Sequence, residues 1–200
     1  MLLAGGEAKR YGGEPKGLVT LAGERIADRV LRALAEATGK QVVVANDPRA
    51  PEWFRGLSVI TDDQPGLGPL AGIQAGLAAA AGASVIVAAW DMPFVTGRLL
   101  RAIRAFGGGD VHAVVPSHGP LARIEPLCAW YAADALPACT ALLAAGERRA
   151  RALPAMLRGT RLLTEAELEP FGDADALFTS VDSPDDLALA TRLLDLARHP

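Results

Sequence analysis

The run Ser84-Val85-Ile86-Val87-Ala88-Ala89 is apolar at every position after Ser84 and is rich in β-branched residues. A strand that buries one face alternates apolar and polar residues, whereas a run of this kind is buried on both faces. Similar runs lie at 41–45 and 58–60. Strands buried on both faces are typical of a parallel sheet that helices cover on each side.

Helical patterns separate these runs. Apolar residues recur at i, i+3 and i+4 in 26–37 and 70–81, and Thr96 is placed to be the N-cap of a helix over 96–106. The order β, α, β, β, α, β, α therefore predicts an α/β fold of three layers. Its mainly parallel sheet is expected to be Rossmann-like and doubly wound in the first half of the chain.

The second half has a less regular pattern. We expect a helix over 132–145 and a last helix that opens at Ser183-Pro184-Asp185-Asp186, with Ser183 as N-cap. The loop at 107–110 is the nearest feature to a boundary. We predict one domain over 1–200, with a first half at 1–107 and a second half at 108–200. The strands predicted in the second half lie at 112–115, 125–130 and 178–181.

Composition excludes several classes of protein. With 200 residues, 50% of them hydrophobic, the chain is long enough to bury one good core. A net charge of −3, with dispersed basic residues, argues against a nucleic-acid partner. Cys128 and Cys139 are too few for a disulfide framework or a zinc site and are expected in the core. The sequence starts directly at Leu2-Leu3 with no basic segment, and the run at 84–90 is too short to span a bilayer. We therefore expect a soluble cytoplasmic protein without membrane contact.

A glycine-rich segment carries the first functional signal: Leu3-Ala4-Gly5-Gly6-Glu7-Ala8-Lys9-Arg10-Tyr11-Gly12-Gly13-Glu14-Pro15-Lys16. Glycines let backbone N–H groups approach an anion, and Arg10 and Lys16 supply positive charge for phosphate oxygens. A Walker A loop is excluded, because that motif needs Ser or Thr after its lysine and Gly17 stands there. The segment predicts a cradle for a nucleoside triphosphate.

A carboxylate follows the most apolar strand, in Trp90-Asp91-Met92-Pro93-Phe94. Ligands of open α/β sheets gather at the carboxyl ends of the strands, where Asp91 could hold Mg²⁺ against phosphates. The alternative is that Asp91 caps the next helix. Three residues stand between Asp91 and Val95-Thr96, which favours the metal site.

A third segment runs from Asp62 to Gly72 and formally matches a dinucleotide fingerprint at Gly66-x-Gly68-x-x-Ala71. Acidic residues stand where a pyrophosphate would approach, so we interpret this segment as a ligand-closing loop before a helix at Pro69.

Asn46 also follows a predicted strand and shares the ligand edge. His112, His118 and His199 form no spaced set, and no pair of nucleophile and base supports covalent catalysis.

Together these motifs resemble the molybdenum cofactor guanylyltransferases, within the nucleotidyltransferase class. The resemblance covers nearly the whole chain in order. It is carried by 3–16, 68–72, 91–94, 146–149 and 181–187.

The resemblance implies a fold of the nucleotide-diphospho-sugar transferase type and transfer of GMP from GTP to molybdopterin, with release of pyrophosphate. It further implies Mg²⁺ as cofactor and transient contacts with proteins that deliver molybdopterin or mature molybdoenzymes. The first half would bind the nucleotide and the second half the acceptor. The implied nucleotide contacts are the backbone of Leu3, Ala4, Gly5 and Gly6, the phosphate-binding Lys16, the base and ribose contacts Asn46 and Asp62, and the metal ligand Asp91.

Lys16, Arg10 and Asp91 are the predicted catalytic residues, because charge neutralisation and positioning supply most of the acceleration in such transfers. Gly5 favours guanine, since the cytidylyl relatives tend to carry Ala there. The acceptor would meet Ser180 and Asp182, where the family typically has asparagines. An ionised Asp182 cannot donate a hydrogen bond and would repel a phosphate unless it faces the metal.

Two alternatives remain open at this point. One is another nucleotidyltransferase, which would use CTP with molybdopterin or a nucleoside triphosphate with a sugar phosphate. The other is a non-catalytic module that binds GTP or molybdopterin.

Overall fold

The structure is a computed structural model that describes residues 1–5, 15–62 and 66–198. Within these ranges the strands are β1 Leu2–Leu3, β2 Thr20–Leu21, β3 Glu24–Arg25, β4 Val42–Val44, β5 Ser58–Ile60, β6 Val85–Ala89, β7 Ala113–His118, β8 Arg123–Ile124, β9 Cys128–Tyr131 and β10 Thr160–Leu163. The α-helices are α1 Ile26–Ala37, α2 Ala50–Trp53, α3 Pro69–Ala79, α4 Gly97–Ala105, α5 Ala135–Ala144, α6 Ala152–Met156, α7 Glu165–Leu168, α8 Ala174–Leu177 and α9 Pro184–Arg198.

The main sheet has the strand order β10-β7-β9-β6-β1-β4-β5, with β8 paired to β7. Strand β1 is parallel to both β4 and β6, whereas β9 runs antiparallel between β6 and β7. The chain passes from β1 outward to β4 and β5 and then returns to the other side of β1 to form β6. This reversal is the topological switch point at which open α/β sheets bind ligands.

Alternate residues of the central strands point to opposite faces of the sheet and fill two separate cores. One core holds Leu2, Val43 and Ile86 under helices α1 and α4. The other holds Leu3, Val44 and Val87 under helices α3 and α5. This arrangement confirms the predicted three-layer α/β fold and explains why the strands are apolar at consecutive positions. None of the described helices is long and apolar enough to cross a membrane.

Two predicted helix starts are confirmed by hydrogen bonds. The hydroxyl oxygen of Thr96 accepts from the Leu99 backbone N–H at 3.2 Å, and that of Ser183 accepts from the Asp186 N–H at 3.3 Å. Both cysteines are buried in the core, as expected.

One predicted strand is wrong. Residues 178–181 form no strand, although Phe178, Thr179 and Val181 favour one. The backbone N–H of Val181 donates to the Asp91 carbonyl at 2.9 Å, where β6 has already ended, so this segment crosses the edge of the sheet instead of extending it. The prediction also missed the hairpin of β2 and β3, the edge strand β10 and the short helices α2, α6, α7 and α8.

Leu99 tests the core beneath α4. Its side chain is fully buried, so we expect Leu99→Ala to lower the free energy of unfolding by about 2–5 kcal/mol through lost burial and a cavity. Urea denaturation measures this. Leu196 is 68% exposed on α9, and Leu196→Ala should change the free energy by no more than about 0.5 kcal/mol. Equal effects of the two substitutions would contradict the described packing.

Candidate active site

The candidate site lies at the switch point, where β1 and β6 end side by side. Ala4 continues β1 with a hydrogen bond from its N–H to the Val44 carbonyl at 2.9 Å. Trp90 continues β6 with a hydrogen bond from its N–H to the Leu3 carbonyl at 3.1 Å. These bonds place the start of the glycine-rich segment and Asp91 at the same edge of the sheet.

The Lys16 ammonium lies between two carboxylates at this edge. It forms an ion pair with Asp91 Oδ2 and another with Asp182 Oδ1, the second at 2.6 Å. Lys16 begins a 3₁₀ turn that follows the glycine-rich segment. The structure therefore brings together three residues that the sequence separates widely.

Backbone contacts hold Asp182 in place. Val181, the preceding residue, is bonded to the Asp91 carbonyl. The Asp182 N–H donates to the Asp186 carboxylate at 3.1 Å, and the Ser183 hydroxyl donates to the same carboxylate at 2.7 Å. The N-terminal cap of α9 thus fixes the backbone from which Asp182 reaches Lys16.

The three charged groups differ in burial. The side chain of Asp91 is 8% exposed, whereas that of Asp182 is 47% exposed. Burial opposes the charge of Lys16, but Asp91 and Asp182 outweigh it and raise the pKa of Lys16. Burial raises the pKa of Asp91 although Lys16 acts in the opposite direction. With both carboxylates ionised the unit carries one excess negative charge, so a further cation would stabilise it.

One atom of this unit lacks a partner. Asp91 Oδ1 is buried and accepts no hydrogen bond from any residue that the structure describes. A buried carboxylate oxygen without a donor is costly unless something else coordinates it. No cluster of three or more His, Cys, Asp or Glu side chains able to hold a metal occurs in the described ranges. Two carboxylates fit Mg²⁺, which commonly takes one or two protein carboxylates plus water and substrate phosphates.

Asn46 and Asp62 form a second pair, at the ends of β4 and β5. The Asn46 Nδ2 group donates to Asp62 Oδ2 at 2.7 Å, and the Asp62 backbone N–H donates to Asn46 Oδ1 at 3.0 Å. Since β4 is the neighbour of β1, the pair lies along the same edge of the sheet as Ala4 and Gly5, which follow β1. The contact makes one rigid unit of two residues that the sequence singled out separately.

Other predicted residues fall in different places. Gly6 and Arg10 lie outside the described residues. Ser180 is partly exposed in the crossing segment that leads to Asp182. Helix α3 begins at Pro69 as predicted, after Gly68 with a φ of 77°.

Thiol chemistry has no support at this site. Burial raises the pKa of Cys128, and it raises the pKa of Cys139 to about 12. Neither thiol forms the reactive thiolate near neutral pH.

No role was predicted for Trp90 from the sequence. In the structure its indole N–H donates to the carbonyl of Gly5, at the start of the glycine-rich segment. The contact joins parts of the chain that are distant in sequence, so no local pattern reveals it. The spacing of the glycines likewise gave no indication that Gly17 packs against the same ring.

Relatives of the chain are recognisable over most of its length. Residues 1–164 match the family described as the MobA-like NTP transferase domain. The molybdenum cofactor guanylyltransferase of Cereibacter sphaeroides is 36% identical over 197 residues, which cover 97% of this chain and 95% of that protein. The probable molybdenum cofactor guanylyltransferase of Deinococcus radiodurans is 36% identical over 191 residues, covering 94% and 90%.

Solved structures give the same result. Molybdopterin-guanine dinucleotide biosynthesis protein A from Archaeoglobus fulgidus superposes with a TM-score of 0.78 at 29% identity, covering 98% of this chain and 97% of that one. The 2-C-methyl-D-erythritol 4-phosphate cytidylyltransferase from Thermus thermophilus has a TM-score of 0.69 at 21% identity, covering 97% of each chain. At that identity the second likeness concerns the fold alone.

Proposed function

The chain belongs to the MobA-like NTP transferase family, and from this premise we propose that it transfers GMP from GTP to molybdopterin. The products are molybdopterin guanine dinucleotide and pyrophosphate. The names of the relatives in Cereibacter and Deinococcus support this activity, as does the likeness to the Archaeoglobus protein over nearly the full length. The fold, of the nucleotide-diphospho-sugar transferase type, is compatible with it.

One observation carries the proposal: the Lys16 ammonium lies between the carboxylates of Asp91 and Asp182 at the switch point of the sheet. Nucleotidyl transfer asks the protein mainly to neutralise charge that develops on phosphate oxygens and to align the reacting groups. The fixed Lys16 ammonium can neutralise charge on phosphate oxygens. The buried Asp91 carboxylate, with one oxygen that lacks a donor among the described residues, can help to align the reacting groups through a bound cation. A protein that only binds a nucleotide has no need for this arrangement.

Asp91 and Asp182 would hold Mg²⁺. The fit rests on the buried Asp91 Oδ1 without a donor among the described residues and on the excess negative charge of the unit. When bound, Mg²⁺ supplies charge neutralisation at the phosphate oxygens. Lys16, which lies between the two carboxylates, would bind the oxygens of the α- and β-phosphates.

The remaining groups take the roles that the family resemblance implies. The backbone of Leu3, Ala4, Gly5 and Gly6 would contact the nucleotide, and Arg10 would stabilise the departing pyrophosphate. Asn46 and Asp62 would bind the base and ribose.

The second half of the chain, 108–200, would bind molybdopterin, with Ser180 and Asp182 as acceptor contacts. The terminal phosphate of molybdopterin would attack the α-phosphorus of GTP. An Asp182 carboxylate that pairs with Lys16 and helps to hold Mg²⁺ would repel that phosphate less strongly.

The test is to mix the protein with Mg²⁺, molybdopterin and each nucleoside triphosphate in turn, and to measure pyrophosphate. We expect release with GTP that exceeds release with CTP, UTP or ATP. Thermal shift with each nucleotide measures binding separately, because a ligand that binds only the folded state raises its stability. Preference for CTP or UTP would overturn the base assignment, and binding of GTP without release would favour a non-catalytic module.

Asp182 offers a prediction about the metal. We expect Asp182→Asn to raise the Mg²⁺ concentration needed for half-maximal activity about tenfold, because an amide oxygen is a weaker ligand than a carboxylate. At saturating Mg²⁺ most of the activity should return. A titration of pyrophosphate release against Mg²⁺ measures both quantities.

Asp185→Asn is the matched control. Asp185 is exposed in the first turn of the same helix, and no described contact joins it to Lys16. This variant should leave the Mg²⁺ dependence unchanged. If Asp182→Asn behaves like the control, Asp182 is not a metal ligand.

A further inference from the structure

The Trp90 indole connects the strand that carries Asp91 to the start of the glycine-rich segment. Trp90 immediately precedes Asp91 and is 3% exposed. Its Nε1–H donates to the Gly5 carbonyl at 3.2 Å. Gly5 is the second residue after β1, so this bond fixes the point at which the chain leaves the strand.

The same ring touches the other end of the segment. A Cβ atom added to Gly17 would overlap Cδ2 and Cε3 of Trp90, closer than real atoms approach. Gly17 is buried and stands directly after Lys16. The absence of a side chain at this position therefore allows the turn with Lys16 to lie against the face of the indole.

The third contact of the Trp90 ring is with Trp53. Trp53 stacks on Trp90 with 6.4 Å between the ring centroids and 25° between the planes. The Arg49 guanidinium lies 5.1 Å from the centroid of the Trp53 ring. Trp90 thus packs against this aromatic neighbour and against the backbone of Gly17, and both contacts restrain the indole.

We propose that Trp90 is a positioning residue that sets the distance between the two ends of the glycine-rich segment and thereby places Lys16 beside Asp91. The inference rests on the proposed function for its effect on catalysis, but the positioning itself is independent of the substrate. Trp90 acts through Lys16 and is not a catalytic residue. A ring that only filled the core would stabilise the fold without controlling where Lys16 lies.

Gly17→Ala and Trp90→Phe test the two contacts separately. Gly17→Ala should lower kcat/KM for GTP on the order of a hundredfold, because the added methyl group displaces Lys16 from its position. Trp90→Phe keeps an aromatic ring but loses the bond to Gly5, and should lower kcat/KM about tenfold, the scale of one hydrogen bond. Phe54→Leu is the control: Phe54 is buried beside Trp53, and no described ring contact joins it to Trp90, so this change should lower the melting temperature without changing KM for GTP.

Trp90→Leu combined with Gly17→Ala provides a test by rescue. Leucine replaces the rigid indole with a smaller, flexible side chain. In this background Gly17→Ala should therefore lower kcat/KM for GTP roughly threefold or less. If Gly17→Ala lowers kcat/KM as much in the Trp90→Leu background as in the protein with the indole, the indole does not position the turn and the inference is wrong.

Hydrogen exchange of the backbone amides in 16–21 keeps this test separate from the proposed activity. Exchange should be roughly tenfold faster in Gly17→Ala and in Trp90→Phe than in the unmodified protein or in Phe54→Leu. Unchanged exchange in both variants would overturn the positioning role. A protein that releases no pyrophosphate from GTP, yet shows the faster exchange in the variants, would refute the proposed function alone.

Discussion

Replacing Lys16 by alanine is expected to lower kcat for pyrophosphate release from GTP by about a hundredfold to a thousandfold, the range for removing one fixed group that stabilises transition-state charge. The reason is the position of the ammonium between Asp91 and Asp182, both of which raise the pKa of Lys16 and keep it charged. Single-turnover measurement of GMP transfer to molybdopterin separates this effect from product release.

The fold should survive this substitution. Without Lys16 the buried Asp91 carboxyl can take up a proton, which avoids an uncompensated charge. Lys40→Ala is the matched control, since Lys40 is exposed before β4 at the opposite edge of the sheet. Lys16→Arg keeps the charge and should retain more activity than Lys16→Ala. Turnover by Lys16→Ala at nearly the rate of the unmodified protein would remove Lys16 from the mechanism.

Asp91→Asn is expected to have an effect at least as large, on the order of a thousandfold, because a metal can supply several kcal/mol of charge stabilisation. The change removes a charge but almost no volume. Lys16 keeps its ion pair with Asp182, so no buried cation is left alone. Circular dichroism and the melting temperature should therefore change little, while pyrophosphate release is lost at every Mg²⁺ concentration.

Direct binding gives the second readout for Asp91. Mn²⁺, used as a paramagnetic probe in place of Mg²⁺, should bind the unmodified protein in the presence of GTP and bind Asp91→Asn much more weakly. Asp110→Asn, a change at an exposed loop residue, should bind Mn²⁺ normally. Equal Mn²⁺ binding by Asp91→Asn and the unmodified protein would show that the metal, if used, is held elsewhere.

The central layer of the fold could be predicted because burial on both faces leaves a local signature. Neighbouring residues such as Val43 and Val44 face different cores, so the strands are apolar at consecutive positions. Helix starts were predictable for a similar reason, since Thr96 and Ser183 bond to their own helices. In each case the decisive interactions involve residues close in sequence.

The predictions that failed depend on contacts between residues that are distant in sequence. The segment at 178–181 has strand-forming residues, but whether it becomes a strand depends on an available partner, and the Val181 N–H bonds to the Asp91 carbonyl beyond the end of β6. The reversed direction of β9 is likewise absent from its own sequence, because direction is set by the pairing with β6 and β7.

The candidate site also contains residues that could be predicted from the local sequence and residues that could not. Asp91 was predictable from its place after an apolar strand, and Lys16 from its place in a glycine-rich segment. Asp182 became a candidate only through the resemblance to the guanylyltransferases, and nothing in the sequence indicated its contact with Lys16. Trp90 and Gly17 were not assigned roles, because the fit of a ring against a bare backbone has no sequence motif.

The contact of Lys16 with Asp182 spans 166 positions of the chain. During synthesis from the N-terminus, the ribosome produces Lys16 early, whereas Asp182 emerges only after the strands of the main sheet. Contacts between such distant residues form late, since the loop between them must first be ordered. A nascent or clipped chain that ends before residue 182 would still hold Lys16 and Asp91 but would lack the second carboxylate. The Lys16 ammonium therefore acquires its second carboxylate only after the C-terminal part of the chain has been made.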